Sequence, residues 1–298
     1  LVVAVPGRLP ADPDGPGHLV KARYTPSQAI VLGADEQDSP HHAAIAAAES
    51  IEGMPVVTAD LHSALPAILA GVLADVPDAR VAYVMTDGAA LPLWFSRTVS
   101  ELAPALCGTV TTGQAVGGDL EAVTVHTGLL AARHVLRADV TILCQGPGNL
   151  GTGTRWGFSG VAAGEAINAV AVLGGRPVGA LRISDADPRP RHQGVSHHSL
   201  TAYGRVALAA ADLPVPSGLP DVLAQRVAAD LAPLADRHRI VEVPSDGLDE
   251  ALRASPVKLS TMGRGLDEDH AYFLASAAAG RHAAALLRTS RRVVTEPG

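Results

Sequence analysis

The chain has 298 residues, of which 47% are hydrophobic and only 18% are charged, so it can bury a sizeable core and is not an intrinsically disordered protein. Its formal net charge of -7 argues against a general nucleic-acid-binding protein, because neutralising phosphates requires clustered Lys and Arg. Its only cysteines, Cys107 and Cys144, argue against a disulfide framework, and no apolar run approaches the roughly 20 residues that cross a bilayer.

The N-terminal segment is the first feature along the chain. The run LVVAVPGRL at residues 1–9 predicts a strand already under way, and the Pro- and Gly-rich stretch VPGRLPADPDGPGH predicts an irregular connection. We therefore expect residues 1–28 to be the irregular or β-structured remnant of a small domain. No sequence typical of a secretory signal peptide is visible, so a cytoplasmic location is expected.

Residues 29–298 show the alternation of strands and helices that is typical of an α/β domain. Strands are predicted for AIVLGADE, MPVVTAD, RVAYVMTD, GTVTTGQA, VTILCQG, RPVGALRIS, RIVEVPSD and VKLST. Helices are predicted over 62–75, 91–106, 120–136, 160–173 and 219–235. Because the apolar runs are continuous, the strands are expected to be buried on both faces. The pattern predicts a layered, mostly parallel sheet with helices on both faces.

The stretch DLPVPSGLP at residues 212–220 is the best candidate for a linker because it is rich in proline. A subdomain break at this stretch is one alternative. We favour the other, in which the same sheet continues and 29–298 is a single domain.

Unusual polar residues follow the predicted strands, and ligands of open parallel sheets bind outside the carboxyl ends of the strands. Helix capping by Asp119 or Asp267 explains part of this pattern. Paired glycines and a cluster of His and Arg are not typical of caps. We therefore predict one ligand site at this edge, with six residues lining one continuous cleft: Asp60, Asp87, Gln114, Gly148, Asp185 and Ser260.

The loop GPGNLGTGT follows the buried run VTILCQ and has the glycine spacing of a dinucleotide-binding motif. The match is poor, because TRWGFSG delays the next helix and no acidic residue stands at the expected strand end. An anion nest built from backbone N–H groups and threonine hydroxyls is one interpretation, and a sharp turn with positive φ is the other. The predicted anion-binding residues are Gly146, Gly148, Gly151, Thr152, Gly153 and Thr154.

The segment SDADPRPRHQGVSHHSL is the second unusual stretch. Arg189 and Arg191, together with Arg264, are predicted to hold a carboxylate or phosphate, because Arg binds these groups bidentately. The candidates for acid–base catalysis are Asp87, Asp119, Asp185, His192 and His197. A divalent metal cofactor is an alternative, with ligands expected from His41, His42, Asp187 and His198, or more widely also from Asp185, His192 and His197. Ser196 and His197 opening a helix is the purely structural alternative.

Six strings resemble one known protein family: DEQDSPHH, YVMTDGAALP, TTGQAVGGDLEAV, GPGNLGTGTRWGF, DPRPRHQGVSHHSLTA and LSTMGRGLDED. They run over essentially the whole chain and resemble the family called domain of unknown function 3866. The resemblance implies a further N-terminal β-rich segment in many members. It implies no established activity.

Two functional hypotheses remain open at this point. The first is an enzyme that acts on a small anionic metabolite, phosphorylated or carboxylated, at the carboxyl edge of the sheet. The second is a non-catalytic ligand sensor or assembly module, in which the imidazoles of His192, His197 and His198 are all locked in core hydrogen bonds. Neither hypothesis has nucleic acid or membrane as a partner, and formation of a homo-oligomer stays open.

Overall fold

The computed structural model describes residues 14–295, so the strand predicted at 1–9 lies outside the described residues. The strands are β1 (Leu19–Lys21), β2 (Ala29–Val31), β3 (Pro55–Thr58), β4 (Val81–Thr86), β5 (Gly108–Thr111), β6 (Leu120–Glu121), β7 (Val140–Gln145), β8 (Arg176–Gly179), β9 (Ile183–Ser184), β10 (Gly194–Val195), β11 (Asp212–Pro216), β12 (Arg239–Val243), β13 (Ser260–Thr261) and β14 (Arg264–Gly265). The helices are α1 (His42–Ala46), α2 (Leu65–Asp75), α3 (Arg97–Leu102), α4 (Val125–His134), α5 (Ala162–Val172), α6 (His197–Thr201), α7 (Asp221–Leu231), α8 (Leu248–Arg253) and α9 (His270–Thr295).

One sheet of eight strands, in the order β12-β11-β8-β3-β7-β4-β5-β6, forms the centre of the fold. Every neighbouring pair in this sheet is parallel. Strand β4 runs beside β7 in register, from Val81 opposite Val140 to Thr86 opposite Gln145. The prediction of a layered α/β fold with a mostly parallel sheet is confirmed.

The sheet has an apolar core on each face, because successive side chains of a strand point to opposite sides. In β4, Tyr83 and Met85 belong to one core, whereas Ala82 and Val84 belong to the other. This arrangement buries all six residues of the strand and explains why its sequence is continuously apolar.

Helices cover both faces of the sheet. Helices α2 and α9 pack together on the first face, where Ile68 and Ala277 belong to the core. Helices α4 and α5 contribute Leu129 and Val170 to the second core. Right-handed crossovers require this division, since chain segments that cross in opposite directions lie on opposite faces.

Helix α9 is the longest helix and was not among the predicted ones. It lies very close to α2 at two glycines. A Cβ on Gly71 would lie 1.9 Å from the Ala277 carbonyl oxygen, and one on Gly280 would lie 2.0 Å from the Ile68 carbonyl oxygen. The two helices can therefore pack at this distance only because both positions lack a side chain.

Three predicted elements differ from the structure. The proposed linker at 212–220 contains β11, which pairs with β8 and β12 inside the main sheet. Its prolines, Pro214 and Pro216, are tolerated because β11 pairs with β8 only at Asp212, so the strand has no ladder partner on that side along the prolines. The helix predicted over 120–136 begins as strand β6, and α4 starts only at Val125, after the N-cap Thr124. The helix predicted over 91–106 is reduced to α3, flanked by 3-10 turns.

Two predicted strands lie outside the main sheet. Strand β2, within AIVLGADE, pairs antiparallel with β1 instead. The run VKLST contributes only β13, which forms a two-residue hairpin with β14. Short antiparallel pairs of this kind form between neighbouring stretches of chain and need no crossover helix.

Lys21 joins the N-terminal hairpin β1–β2 to the far edge of the sheet. Its buried Nζ donates to the carbonyl oxygens of Ala122 at 2.8 Å and Ala115 at 3.0 Å, and lies 3.4 Å from a Glu121 carboxylate oxygen. A buried ammonium is tolerated when it is paired and hydrogen-bonded in this way. Within residues 14–295, no helix is both long and apolar enough to cross a membrane.

Candidate functional site

The crevice that the sheet topology creates lies at the carboxyl ends of β3, β7 and β8. Strand β3 leads through α2 towards β4, whereas its neighbour β7 leads through α5 to β8 on the other side. When the connections from two adjacent strands run in opposite directions along the sheet, they leave a crevice at the carboxyl ends of those strands, and ligands bind there. The polar segments that follow these strands meet there, since Gln145 Nε2 donates to the carbonyl oxygen of Asp60 at 2.9 Å.

Three imidazoles lie together beside this crevice. The ring centroids of His192 and His198 are 5.0 Å apart, those of His192 and His197 are 4.9 Å apart, and those of His197 and His198 are 4.4 Å apart. One ring nitrogen from each histidine lies within 4.8 Å of the other two. Among the described residues, these histidines form the one group of three or more that is close enough to share an ion.

The local sequence explains how the three histidines converge. After β9 the chain forms a 3-10 turn that ends at His192. Strand β10 then pairs antiparallel with β9 and returns the chain beside it, just before α6. Ser196 is the N-cap of α6, as one interpretation of the sequence expected, and accepts from the backbone N–H of His198. The Ser196 hydroxyl also lies 2.7 Å from Nδ1 of His192. One serine therefore fixes the start of the helix and one of the rings.

The partners of the rings leave part of each imidazole available. Nδ1 of His198 lies 3.3 Å from Oδ2 of Asp60, and Phe158 stacks on the His198 ring with centroids 3.9 Å apart. Nε2 of His197 is buried and has no hydrogen-bond partner within residues 14–295. Two of the three rings are thus held at Nδ1, and the third keeps a buried nitrogen without a hydrogen-bond partner within residues 14–295.

The imidazoles of His192 and His197 are neutral at neutral pH. Burial, reinforced by the nearby positive charge of Arg182, lowers the pKa of His192 to about 3. Burial and the neighbouring His198 and Arg191 lower the pKa of His197 to about 4. A neutral imidazole has a lone pair with which it can accept a proton or bind a metal.

Asp187 lies at the centre of a cluster of arginines next to the histidines. Its side chain is 0% exposed and its Oδ2 accepts from Arg189 at 2.7 Å and from Arg182 and Arg264 at 3.1 Å. Burial raises the pKa of Asp187, but the hydrogen bonds and charge of Arg189 outweigh it and hold that pKa well below its usual range. Because its carboxylate is already saturated with donors, Asp187 is not placed as the metal ligand that the sequence suggested.

The three arginines predicted to bind an anion differ in their surroundings. Arg189 is bound to Asp187 through its backbone N–H, Nε and Nη2, and Arg264 is shared between Asp187 and Asp269. Both guanidinium groups are therefore already paired with carboxylates. Arg191 is exposed, and its Nη2 lies 3.9 Å from where a Cβ on Gly153 would be. Of the three, Arg191 is the one accessible to a ligand.

The glycine-rich loop closes on itself as a small hairpin. The backbone N–H of Thr152 donates to the Gly157 carbonyl at 2.7 Å, and the hydroxyls of Thr152 and Thr154 lie 3.0 Å apart. Gly148 and Gly153 have φ of 98° and 81°, the left-handed conformations that the turn interpretation requires. The tip of the loop, at Gly153, lies beside Arg191. Anion binding by residues 146–154 stays a prediction.

The three carboxylates predicted for acid–base catalysis lie in different surroundings. Asp87 accepts from the backbone N–H of Gln114 at 2.8 Å and lines a separate cavity of about 460 Å³ beside the N-terminal hairpin. Asp119 accepts from the N–H and hydroxyl of Thr109 at 2.8 and 2.9 Å, so it fixes the turn before β6. Asp185 is exposed, next to the Asp187 cluster.

The remaining candidates are distributed over the molecule. His42 opens α1, which packs against α4, and its Nδ1 lies 2.8 Å from the Asp35 carbonyl. His41 directly precedes His42. Neither belongs to the group formed by His192, His197 and His198. Ser260 is exposed on the β13–β14 hairpin. Four of the six predicted cleft residues follow strands of the main sheet: Asp60, Asp87, Gln114 and Gly148. Asp185 follows β9 and Ser260 lies in β13, both outside that sheet, and the single continuous cleft stays a prediction.

Two groups at this edge were not among the predicted catalytic, anion-binding or metal-binding residues. Asp60 was predicted only to line the cleft, from its position after β3, and the structure places its carboxylate beside His198. His62 follows two residues later, with Nε2 2.7 Å from the Ser96 hydroxyl and Nδ1 3.2 Å from the Tyr83 hydroxyl. Burial lowers the pKa of His62 to about 4. No sequence spacing reveals these contacts, because their partners come from distant strands.

The family model described as "Protein of unknown function (DUF3866)" matches residues 1–280 of the chain. Because this match covers most of the sequence, the chain belongs to that family. No curated protein and no solved structure matches the chain.

Proposed function

We propose that this member of the DUF3866 family is an enzyme that acts on a small anionic metabolite, phosphorylated or carboxylated, at the carboxyl edge of its parallel sheet. The observation that carries the proposal is the convergence of His192, His197 and His198 beside the arginine cluster around Asp187. Titratable groups of this kind at a sheet crevice are typical of catalytic pockets.

The charge balance beside the histidines favours an anionic ligand. Three arginines (Arg182, Arg189 and Arg264) face two carboxylates (Asp187 and Asp269), which leaves one positive charge on the cluster. The exposed guanidinium of Arg191 adds a second positive charge, and the carboxylate of Asp60 beside His198 offsets one of the two, so one positive charge remains. Arg is well suited to a carboxylate or phosphate because its planar group binds two oxygens at once.

The imidazoles supply the groups that a reaction needs. His197 is neutral, and its Nε2 is buried without a hydrogen-bond partner among residues 14–295, so this nitrogen has no competing hydrogen bond and is available to a proton or to a metal ion. Asp60, 3.3 Å from Nδ1 of His198, favours the tautomer with the hydrogen on Nδ1 and leaves Nε2 with its lone pair.

The sensor or assembly hypothesis requires all three imidazoles to be locked in core hydrogen bonds. His192 and His198 each use one nitrogen in this way, whereas Nε2 of His197 has no partner within the described part of the chain. An unsatisfied buried nitrogen costs about 1–3 kcal/mol, which a purely structural cluster has no reason to retain. This observation supports the enzyme over the sensor.

A thermal-shift screen against nucleotides, sugar phosphates, acyl phosphates and carboxylates tests the proposal. A ligand present at about 100 times its Kd stabilises the protein by about 2.7 kcal/mol. For a chain of 298 residues, that stabilisation corresponds to an increase in Tm of roughly 4 °C.

The variant Arg191→Gln is expected to lose most of this shift, because it removes the accessible guanidinium. The matched control is Arg97→Gln, whose side chain is 93% exposed and pairs with Glu101 on α3, away from the histidines. If no anion in the panel raises the Tm, or if Arg191→Gln responds like the control, the proposal is wrong.

A further inference from the structure

We propose that His192, His197 and His198 together bind one divalent transition-metal ion of the zinc type. This inference deepens the proposed function by naming a cofactor for the same site, and its catalytic meaning rests on that function. The ion would have three imidazole ligands and one open position, the arrangement of many catalytic zinc sites.

The spacing of the rings is close to what such an ion requires. Zn–N bonds of about 2.0–2.1 Å in tetrahedral geometry place the ligand nitrogens about 3.4 Å apart and the ring centroids about 5.3 Å apart. The three centroid distances here run from 4.4 to 5.0 Å, and the candidate nitrogens lie within 4.8 Å of one another. Ring rotations that move each nitrogen by less than about 1 Å would complete the site.

The groups around the cluster are those that orient metal-bound histidines. A ligating imidazole usually donates its other N–H to a carboxylate, a carbonyl or another polar group. Asp60 lies 3.3 Å from Nδ1 of His198, and the Ser196 hydroxyl lies 2.7 Å from Nδ1 of His192. In both residues these contacts use Nδ1, so Nε2 would be the nitrogen that binds the ion.

His197 supplies the second, independent observation. Its Nε2 is buried and lacks a hydrogen-bond partner among residues 14–295. A metal–nitrogen bond would satisfy this atom and remove the free-energy cost of leaving it unpaired.

The arginines beside the cluster explain which molecule would occupy the open position. Arg182 and Arg191 repel a bare cation, so the site favours an ion whose charge is balanced by Asp60 and by an anionic ligand. A phosphate or carboxylate bound to the ion would also be attracted by the positive charge of Arg191, which acts on His197. Metal and anion are therefore expected to bind more tightly together than separately.

Cobalt titration of the tag-free, chelator-treated protein tests the inference, because Co²⁺ in a tetrahedral histidine site absorbs visible light and Zn²⁺ then displaces it. We expect saturation at one ion per chain. His197→Gln is expected to weaken binding at least 100-fold, and Asp60→Asn by about 10–100-fold. His126→Gln, an exposed histidine on α4, is the matched control and is expected to bind like the wild type.

X-ray absorption of the zinc-loaded wild type gives a readout that does not depend on the folding of any variant. Three imidazole nitrogens at about 2.0–2.1 Å are expected around the ion. The inference is overturned if Co²⁺ does not saturate at one equivalent, if a folded His197→Gln binds as tightly as His126→Gln, or if the absorption spectrum lacks imidazole ligands. Anion-induced stabilisation that persists without any metal uptake would overturn this inference alone and leave the proposed function intact.

Discussion

Replacing Asp187 by asparagine is expected to destabilise the protein severely. In the native structure Oδ2 of Asp187 accepts from Arg182, Arg189 and Arg264, and the aspartate side chain is 0% exposed. Asparagine has nearly the same shape but carries no charge. If its amide nitrogen takes the place of Oδ2, it will face three guanidinium donors instead of accepting from them.

The magnitude follows from the burial of the partners. Arg182 is 3% exposed and Arg264 is 19% exposed, so neither guanidinium can be rehydrated without a local rearrangement. Removing one partner of a buried ion pair costs about 3–5 kcal/mol, because a charge is left buried and uncompensated. The partial exposure of Arg189 places the expected loss of unfolding free energy at the lower end, about 3 kcal/mol.

Urea unfolding followed by circular dichroism measures this loss as a shift of the transition midpoint at constant slope. The matched control is Asp249→Asn, which breaks an exposed pair with Arg253 and is expected to cost about 1 kcal/mol or less. A loss for Asp187→Asn that is no larger than that of the control would refute the conclusion that Asp187 is the centre of a buried charge cluster.

Two further predictions concern packing and pH. Gly71→Ala is expected to lower the free energy of unfolding by at least about 1–3 kcal/mol, because the added Cβ forces α2 away from α9. Gly151→Ala is expected to be tolerated, because its Cβ would meet nothing closer than 3.7 Å. Equal melting temperatures of the two variants would contradict the close contact between the helices. Because burial lowers the pKa of His192 from 6.5 to about 3, the unfolded chain binds more protons below pH 6.5. The contribution of the neutral His192 to the free energy of unfolding is therefore fully present above pH 6.5, and it falls by up to about 1.4 kcal/mol per pH unit below that pH. A Tm that is constant from about pH 7 to 4 would contradict this prediction.

The sequence was sufficient to predict the sheet because burial on both faces imposes a readable pattern. All six residues of β4 and of β7 are buried, and such continuous apolar runs do not occur on a half-exposed strand. The carboxyl edge followed from this, since parallel strands end on the same side. Strand β11 was misread because its prolines are typical of connections. They are tolerated because β11 pairs with β8 only at Asp212, before Pro214 and Pro216.

The partners of charged side chains could not be predicted from the sequence. The segment 187–191 contains one aspartate and two arginines. Of these two arginines, Arg189 pairs with Asp187 and Arg191 does not, whereas Arg264 pairs with Asp187 from a distant hairpin. Asp60, which follows β3, meets His198 of α6, and the two residues are 138 positions apart along the chain. Composition and spacing identified the segments that meet at the edge, whereas the pairing depends on how the crossovers place them.

Hydrogen exchange of backbone amides, with and without the most stabilising anion of the screen, tests most directly that the carboxyl edge is the functional site. The account predicts slower exchange in residues 146–160 and 185–200, where the glycine-rich loop and the histidines lie. The opposite edge also has a cavity, of about 450 Å³, lined by Pro177, Asp212 and Arg239 at the amino ends of β8, β11 and β12. Slower exchange confined to those strand starts, with no change at the histidines, would contradict the account.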